Sequence, residues 1–172
     1  MVGRNVDREY YREQRQQPYD AAKVLVEMQG VSLPGRIRDI SLTLHAGEVL
    51  CLVGTEGSGR EAILRTIYGM RTPVAGKLTL KGQPVSSFSP QAAVAAGVGY
   101  VPRERKVEGI VAGMTVDENM TLSQLDRHSH AGVLKIAGER ALARDWIARL
   151  KVKASSEYVD CGNLSGGNQQ KV

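Results

Sequence analysis

Aromatic residues are scarce in these 172 residues: one Trp, one Phe and six Tyr, 5% in all. A core here has to be built from Val, Leu, Ile and Ala. Cysteine is nearly missing too, and two residues, Cys51 and Cys161, cannot make a disulfide framework. Cys51 stands in an apolar run and is expected to be a buried thiol. The surroundings of Cys161 point in no direction. No apolar run approaches the ~20 residues that span a bilayer. The first twenty residues lack the apolar centre of a signal peptide, so a cytoplasmic location is expected. Internal repeats and low-complexity tracts are also missing. With 42% hydrophobic and 24% charged residues, a wholly disordered or collagen-like chain is excluded.

The net charge of +5 mildly favours an anionic partner. The excess is dispersed, however. Arg4, Arg8, Arg12 and Arg15 are offset by Asp7, Glu9, Glu13 and Asp20, and the cluster Arg103, Arg105, Lys106 is broken by Glu104. Neither is a nucleic-acid footprint, and no nucleic-acid partner is expected.

Residues 1–22 are polar and read as a linker or a short exposed helix. Residues 24–29 and 37–44 are strand-like, the second alternating apolar and polar from Ile40, with a turn at Pro34-Gly35 between them. Ala46-Gly47 marks another turn. Val49-Leu50-Cys51-Leu52-Val53 is a continuous apolar run, the pattern of a strand buried on both faces of a parallel sheet. It leads into the loop Gly54-Thr55-Glu56-Gly57-Ser58-Gly59. A helix is expected next, with Ile63, Leu64 and Ile67 on one face. Strand, glycine loop and helix together open an α/β nucleotide-binding unit. Further expectations are a strand at 77–81, a helix started by Ser89-Pro90 and a buried strand at 98–101. A helical region follows from about 103, in which Leu142, Trp146, Ile147 and Leu150 form one apolar stripe.

The loop nearly fits the phosphate-binding pattern G-x-x-x-x-G-K-[ST]. Glycines let successive N–H groups face one concavity, and the following helix adds its positive end. The lysine of that pattern is Arg60 here, which keeps the charge in a bulkier, planar form. The magnesium-binding hydroxyl is replaced by Glu61. A carboxylate ~4 Å from a phosphate oxygen is repelled by roughly 4 kcal/mol at an effective dielectric of 20. Backbone and side chains therefore disagree in this loop. Without a ligand it would be only a tight strand-to-helix turn.

The chain closes on Leu164-Ser165-Gly166-Gly167-Asn168-Gln169-Gln170-Lys171-Val172. This resembles the signature sequence of ATP-binding cassette proteins, and its distance from Gly54 suits them. Ser165 and the two glycines are expected to cap a helix starting near Asn168. Arg60 in the loop, Tyr100-Val101-Pro102-Arg103-Glu104-Arg105-Lys106 and Gly113-Met114-Thr115-Val116-Asp117-Glu118-Asn119-Met120 narrow the resemblance. Together they are similar to the second cassette of tandem-cassette ATPases in bacterial monosaccharide importers of the ribose, galactose and xylose type.

The resemblance implies an α/β fold, a partial ATP-binding cassette. Its parts would be a linker at 1–22, an antiparallel β subdomain and phosphate-loop part of a RecA-like core at 23–102, and a helical signature subdomain at 103–172. It implies ATP as ligand, at Gly54, Thr55, Glu56, Gly57, Ser58, Gly59, Arg60 and Glu61, with magnesium weak or missing there. The signature, Leu164 to Asn168, would serve the site of a first cassette. Other partners would be a membrane permease and, indirectly, an extracytoplasmic sugar-binding protein, with the subunit peripheral on the inner face of the membrane. Arg103 stands where the family has a glutamine reaching magnesium and water. Ser32 and Leu33 stand where it has an adenine-stacking ring. The family's catalytic glutamate and switch histidine follow the signature. The chain is thus expected to be truncated after it, to hold no catalytic residue and no metal of its own, and to be inactive alone. His45, His128 and His130 are expected at the surface. The rival reading is a non-catalytic regulatory or docking module that binds no nucleotide.

Overall fold

The computed structural model describes residues 19–125, 129–130 and 133–172, which form two compact units dividing between Tyr100 and Val101. The first unit is organised by a long antiparallel hairpin, β1 (Asp20–Leu33) and β2 (Ile37–Ala46), turned at Pro34-Gly35. β3 (Ala75–Leu80) pairs with the other edge of β1 and carries the short β4 (Gln83–Pro84), so the sheet order is β2-β1-β3-β4. Both expected strands are present and longer than their periodicity showed. Asp20–Ala22, expected in a linker, belong to β1, while residues 1–18 of that linker lie outside the described residues.

Alternation puts Val26 and Met28 on one face of β1, where Met28 stands opposite Leu42 on one side and Leu78 on the other. A register shift past Met28 keeps Val31 and Leu33 inward as well. These residues close a core with Ile37, Leu78, Leu80 and Ile63. Each fully buried aliphatic side chain contributes about 1.5–3 kcal/mol over exposure. Ile63 comes from α1 (Arg60–Ile67), the helix after the glycine loop. Leu64, expected on the same face, is half-exposed, and Thr66 is buried in its place, bonded to the Ala62 carbonyl at 2.7 Å.

The run Val49–Val53 is not a strand. Val49 and Val53 are 94% and 89% exposed, and Cys51 is an exposed thiol instead of a buried one. An apolar run becomes a strand only when a neighbour takes up its N–H and C=O groups. Among the described residues no strand lies beside it. Only Leu52 packs against the core, and the segment borders an apolar cavity of about 220 Å³ with Val26, Leu44 and Ile67. Residues 98–101 are corrected likewise: Val98 touches the core, Val101 is almost fully exposed, and no strand forms. α2 (Pro90–Ala95) starts as its sequence implies, with Ser89 Oγ accepting from the Ala92 N–H at 3.2 Å.

The second unit is mainly helical. It contains a π-turn (Arg105–Gly109), α3 (Val116–Thr121), a 3₁₀ turn (Leu122–Gln124), a hairpin of β5 (Ser129–His130) and β6 (Val133–Leu134), α4 (Ile136–Leu150) and α5 (Gly166–Gln169). α4 carries the expected face, but only its first half is buried. Glu139 and Ala143 are buried, while Trp146 and Leu150 are each about two-fifths exposed. α3 packs on α4, and its buried Thr121 hydroxyl donates to the Glu139 carboxyl at 2.5 Å. Residues 157–162 run antiparallel to 112–117, tied by Val116 N to Val159 O (3.0 Å), Cys161 N to Met114 O and Gly162 N to Ala112 O (both 2.9 Å). That ladder buries Cys161 completely and leads the chain into Leu164.

Candidate nucleotide-binding cassette site

In the first unit, Gly54–Gly59 turns the chain into α1. Gly59, at φ +90, is the N-cap residue, and its carbonyl receives the Ile63 N–H at 3.2 Å. A Cβ there would stand 2.7 Å from the Arg36 carbonyl oxygen and 2.6 Å from Ile37 Cγ2. Only glycine seats the loop end on the β1–β2 turn. Gly57, at φ +80, has open space around it, and the Ser58 N–H bonds the Thr55 carbonyl at 3.2 Å. Gly54 leaves room for Ser58, whose Oγ would lie 2.5 Å from a Cβ at 54. Thr55, Glu56, Gly57 and Ser58 are exposed. Gly54, Gly59, Arg60 and Glu61 are half-buried, and Arg60 has no ion-pair or hydrogen-bond partner among the described residues.

Glu61 does have a partner. Its Oε1 lies 2.8 Å from both Nε and Nη2 of Arg65. Sequence reasoning missed this pair, although the i, i+4 spacing of Glu and Arg was the signal. Arg60 thus opens α1 with its charge uncommitted among the described residues, while the neighbouring Glu61 carboxylate is engaged within the helix. Among the described residues no cluster of His, Cys, Asp or Glu is arranged to hold a metal. Ser32 Oγ accepts the Asp39 N–H at 2.8 Å and Leu33 is buried, so neither presents a stacking surface. Half-buried His45 bonds Glu48 at 2.8 Å, and that contact holds the Glu48 carboxyl below its ordinary range. His128 and the side chain of His130 lie outside the described residues.

In the second unit, Arg103 is exposed, with Nε 3.7 Å from Glu104. The signature residues form a compact turn. Leu164 is half-buried; Ser165, Gly166 and Gly167 are exposed. Ser165 is the N-cap residue and its carbonyl accepts the N–H groups of Asn168 and Gln169, both at 2.9 Å. α5 therefore begins at Gly166, two residues earlier than expected. Asn168 Oδ1 accepts the Lys153 N–H at 2.9 Å, and its Nδ2 donates to Ser165 Oγ at 3.0 Å. Buried Gln169 donates to the Cys161 and Gly162 carbonyls at 3.2 and 3.3 Å. Arg105 was not singled out by its sequence position. Its Nη2 lies only 2.7 Å from where a Cβ on Gly166 would be, so the guanidinium rests against the signature turn.

A glycine loop feeding a helix beside an antiparallel sheet, with a Leu-Ser-Gly-Gly-Asn turn in a helical unit, defines the class: a nucleotide-binding cassette with a P-loop fold. The ABC transporter family model matches residues 37–172, and the chain belongs to that family. It is 41% identical over 172 residues, its whole length, to the ribose import ATP-binding protein RbsA of Jannaschia sp. (strain CCS1), of which it covers 33%. It is 47% identical over 135 residues, 78% of the chain, to RbsA 3 of Rhizobium etli, covering 26% of that protein. The chain thus spans about a third of the length of the curated relatives it matches. In fold it is similar to the ATP-binding cassette MJ0796, solved as a dimer in a post-hydrolysis state bound to ADP and Pi. The TM-score is 0.69 at 18% identity, covering 86% of this chain and 66% of that one.

Proposed function

We propose that the chain is part of the second cassette of the ATP-binding subunit of a monosaccharide importer. In this reading it pairs with a first cassette beneath a membrane permease, at the inner face of the membrane, and closure of the pair around ATP drives sugar uptake. An extracytoplasmic sugar-binding protein would deliver the substrate. Its own loop, Gly54 to Glu61, is a degenerate site that holds ATP weakly and with little help from magnesium. Its signature, Leu164 to Asn168, completes the competent site on the partner cassette.

The observation that carries this reading is the contrast between the two sites. At the loop, the residue in the magnesium position is occupied by Arg65. At the signature, Ser165 and both glycines stand exposed on a turn anchored from beneath by Asn168 and Gln169. The likeness to ribose-import ATP-binding proteins supports the substrate class.

The test is sugar-stimulated ATP hydrolysis by the complete subunit assembled with its permease. Ser165→Arg or Gly166→Asp is expected to nearly abolish turnover, since each blocks close approach to the signature. Arg60→Ala is expected to leave much of it. If Arg60→Ala is the more damaging change, the roles of the two sites are reversed. If the complete subunit shows no saturable response to ATP, the chain is a docking module instead.

A further inference from the structure

We infer that Asn168 is a positioning residue that turns the Ser165 hydroxyl into an outward donor. The inference rests on the signature role proposed above. An asparagine amide can be placed either way round, but the Lys153 backbone N–H can only donate. The atom 2.9 Å from it must therefore be the Asn168 carbonyl oxygen, Oδ1. The amide nitrogen then faces Ser165 Oγ, 3.0 Å away, and donates to it. A serine hydroxyl has one proton. With a donor already pointing at its oxygen, that proton turns away from Asn168. Ser165 is exposed and its hydroxyl has no acceptor among the described residues. The proton is thus left free for an acceptor brought from outside, such as a phosphate oxygen. Lys153 lies beyond the end of α4, so one side chain both anchors the turn to that segment and orients the donor.

Asn168→Asp tests this with almost no change of shape. The new carboxyl still accepts from Lys153 N–H, but it can only accept from Ser165, so the hydroxyl proton is drawn inward. In the 172-residue chain, NMR titration should show this carboxyl ionising below the ordinary aspartate value of ~3.9, because two donors favour its charged form. Titration at the ordinary value would overturn the hydrogen-bond geometry. In the complete subunit, Ser165→Ala and Asn168→Asp should each lower the turnover number about ten- to a hundredfold, the worth of one charge-assisted bond. The KM for ATP should stay within about twofold. The double variant should be no slower than Ser165→Ala, since both changes remove the same donor. An added negative charge acting by repulsion alone would slow the Ser165→Ala background further, and that result rejects the inference. So does wild-type turnover in Asn168→Asp when Ser165→Ala is slow. A silent Ser165→Ala instead removes the proposed signature role itself, and the inference with it.

Discussion

Oε1 of Glu61 sits 2.8 Å from two nitrogens of Arg65, one turn further along α1. The pair offsets the charge of the carboxylate that, in the proposed reading, lies nearest a bound phosphate. Glu before Arg at i, i+4 is the favourable orientation on a helix.

Removing the pair's cation should expose that charge. Arg65→Ala is expected to weaken ATP binding roughly fivefold, about 1 kcal/mol for a half-exposed carboxylate. Arg60→Lys combined with Glu61→Ser restores the ordinary loop chemistry and should tighten MgATP binding and make it magnesium-dependent. Calorimetry on the three proteins, with magnesium and with chelator, checks both. Unchanged affinities would mean that residues 60 and 61 do not face phosphate and metal.

Gly59→Ala should destabilise the first unit by roughly 1–3 kcal/mol. The added Cβ is strained at φ +90 and collides with the Arg36 carbonyl, which is backbone and cannot swing aside. Gly57→Ala carries only the cost of the positive φ, since nothing surrounds it. Thermal unfolding should rank Gly59→Ala clearly below Gly57→Ala.

The two thiols should differ sharply in reactivity. Cys51 is exposed, whereas Cys161 is fully buried and burial pushes its thiol pKa up. One equivalent of a thiol reagent should react rapidly in native protein and a second only after denaturant is added. Slow labelling of Cys51 would show that Val49–Val53 is covered in solution.

Stability should fall in acid, with a sign set by three glutamates. Glu48 is held below the ordinary carboxylate range of 4.5 by the His45 side chain, Glu118 by the Thr115 N–H and Glu157 by its own backbone N–H, with Arg144 assisting. A lowered folded value adds stability above 4.5 that disappears as pH falls through that folded value. Glu118→Gln removes one such contribution. It should be less stable than wild type at pH 7, and the two curves should converge below the folded value of Glu118. Denaturant midpoints between pH 7 and pH 2 measure this; a constant gap across that range would contradict it.

Where local chemistry decides conformation, the sequence was a sufficient guide. Pro34-Gly35 had to turn and Ser89-Pro90 had to start a helix, because each depends on bonds within a few residues; a helix entry at Ser165 was legible too, though Gly166 and Gly167 lie inside that helix. The period-2 pattern around Ile40 to Leu44 likewise placed β2 before its partner was known. Tertiary structure alone decided the remainder. Val49–Val53 has the composition of a buried strand, but strand pairing is supplied by neighbours, and among the described residues none supplies it. Cys51 and Cys161 carry no local sign of their fate; the ladder between 112–117 and 157–162 buries one, and the unpaired run exposes the other. How far along α4 its apolar face is covered follows from α3, whose Thr121 meets the buried Glu139, while Trp146 further along is two-fifths exposed. Periodicity located the face; how much of its length is buried depends on the element packed against it.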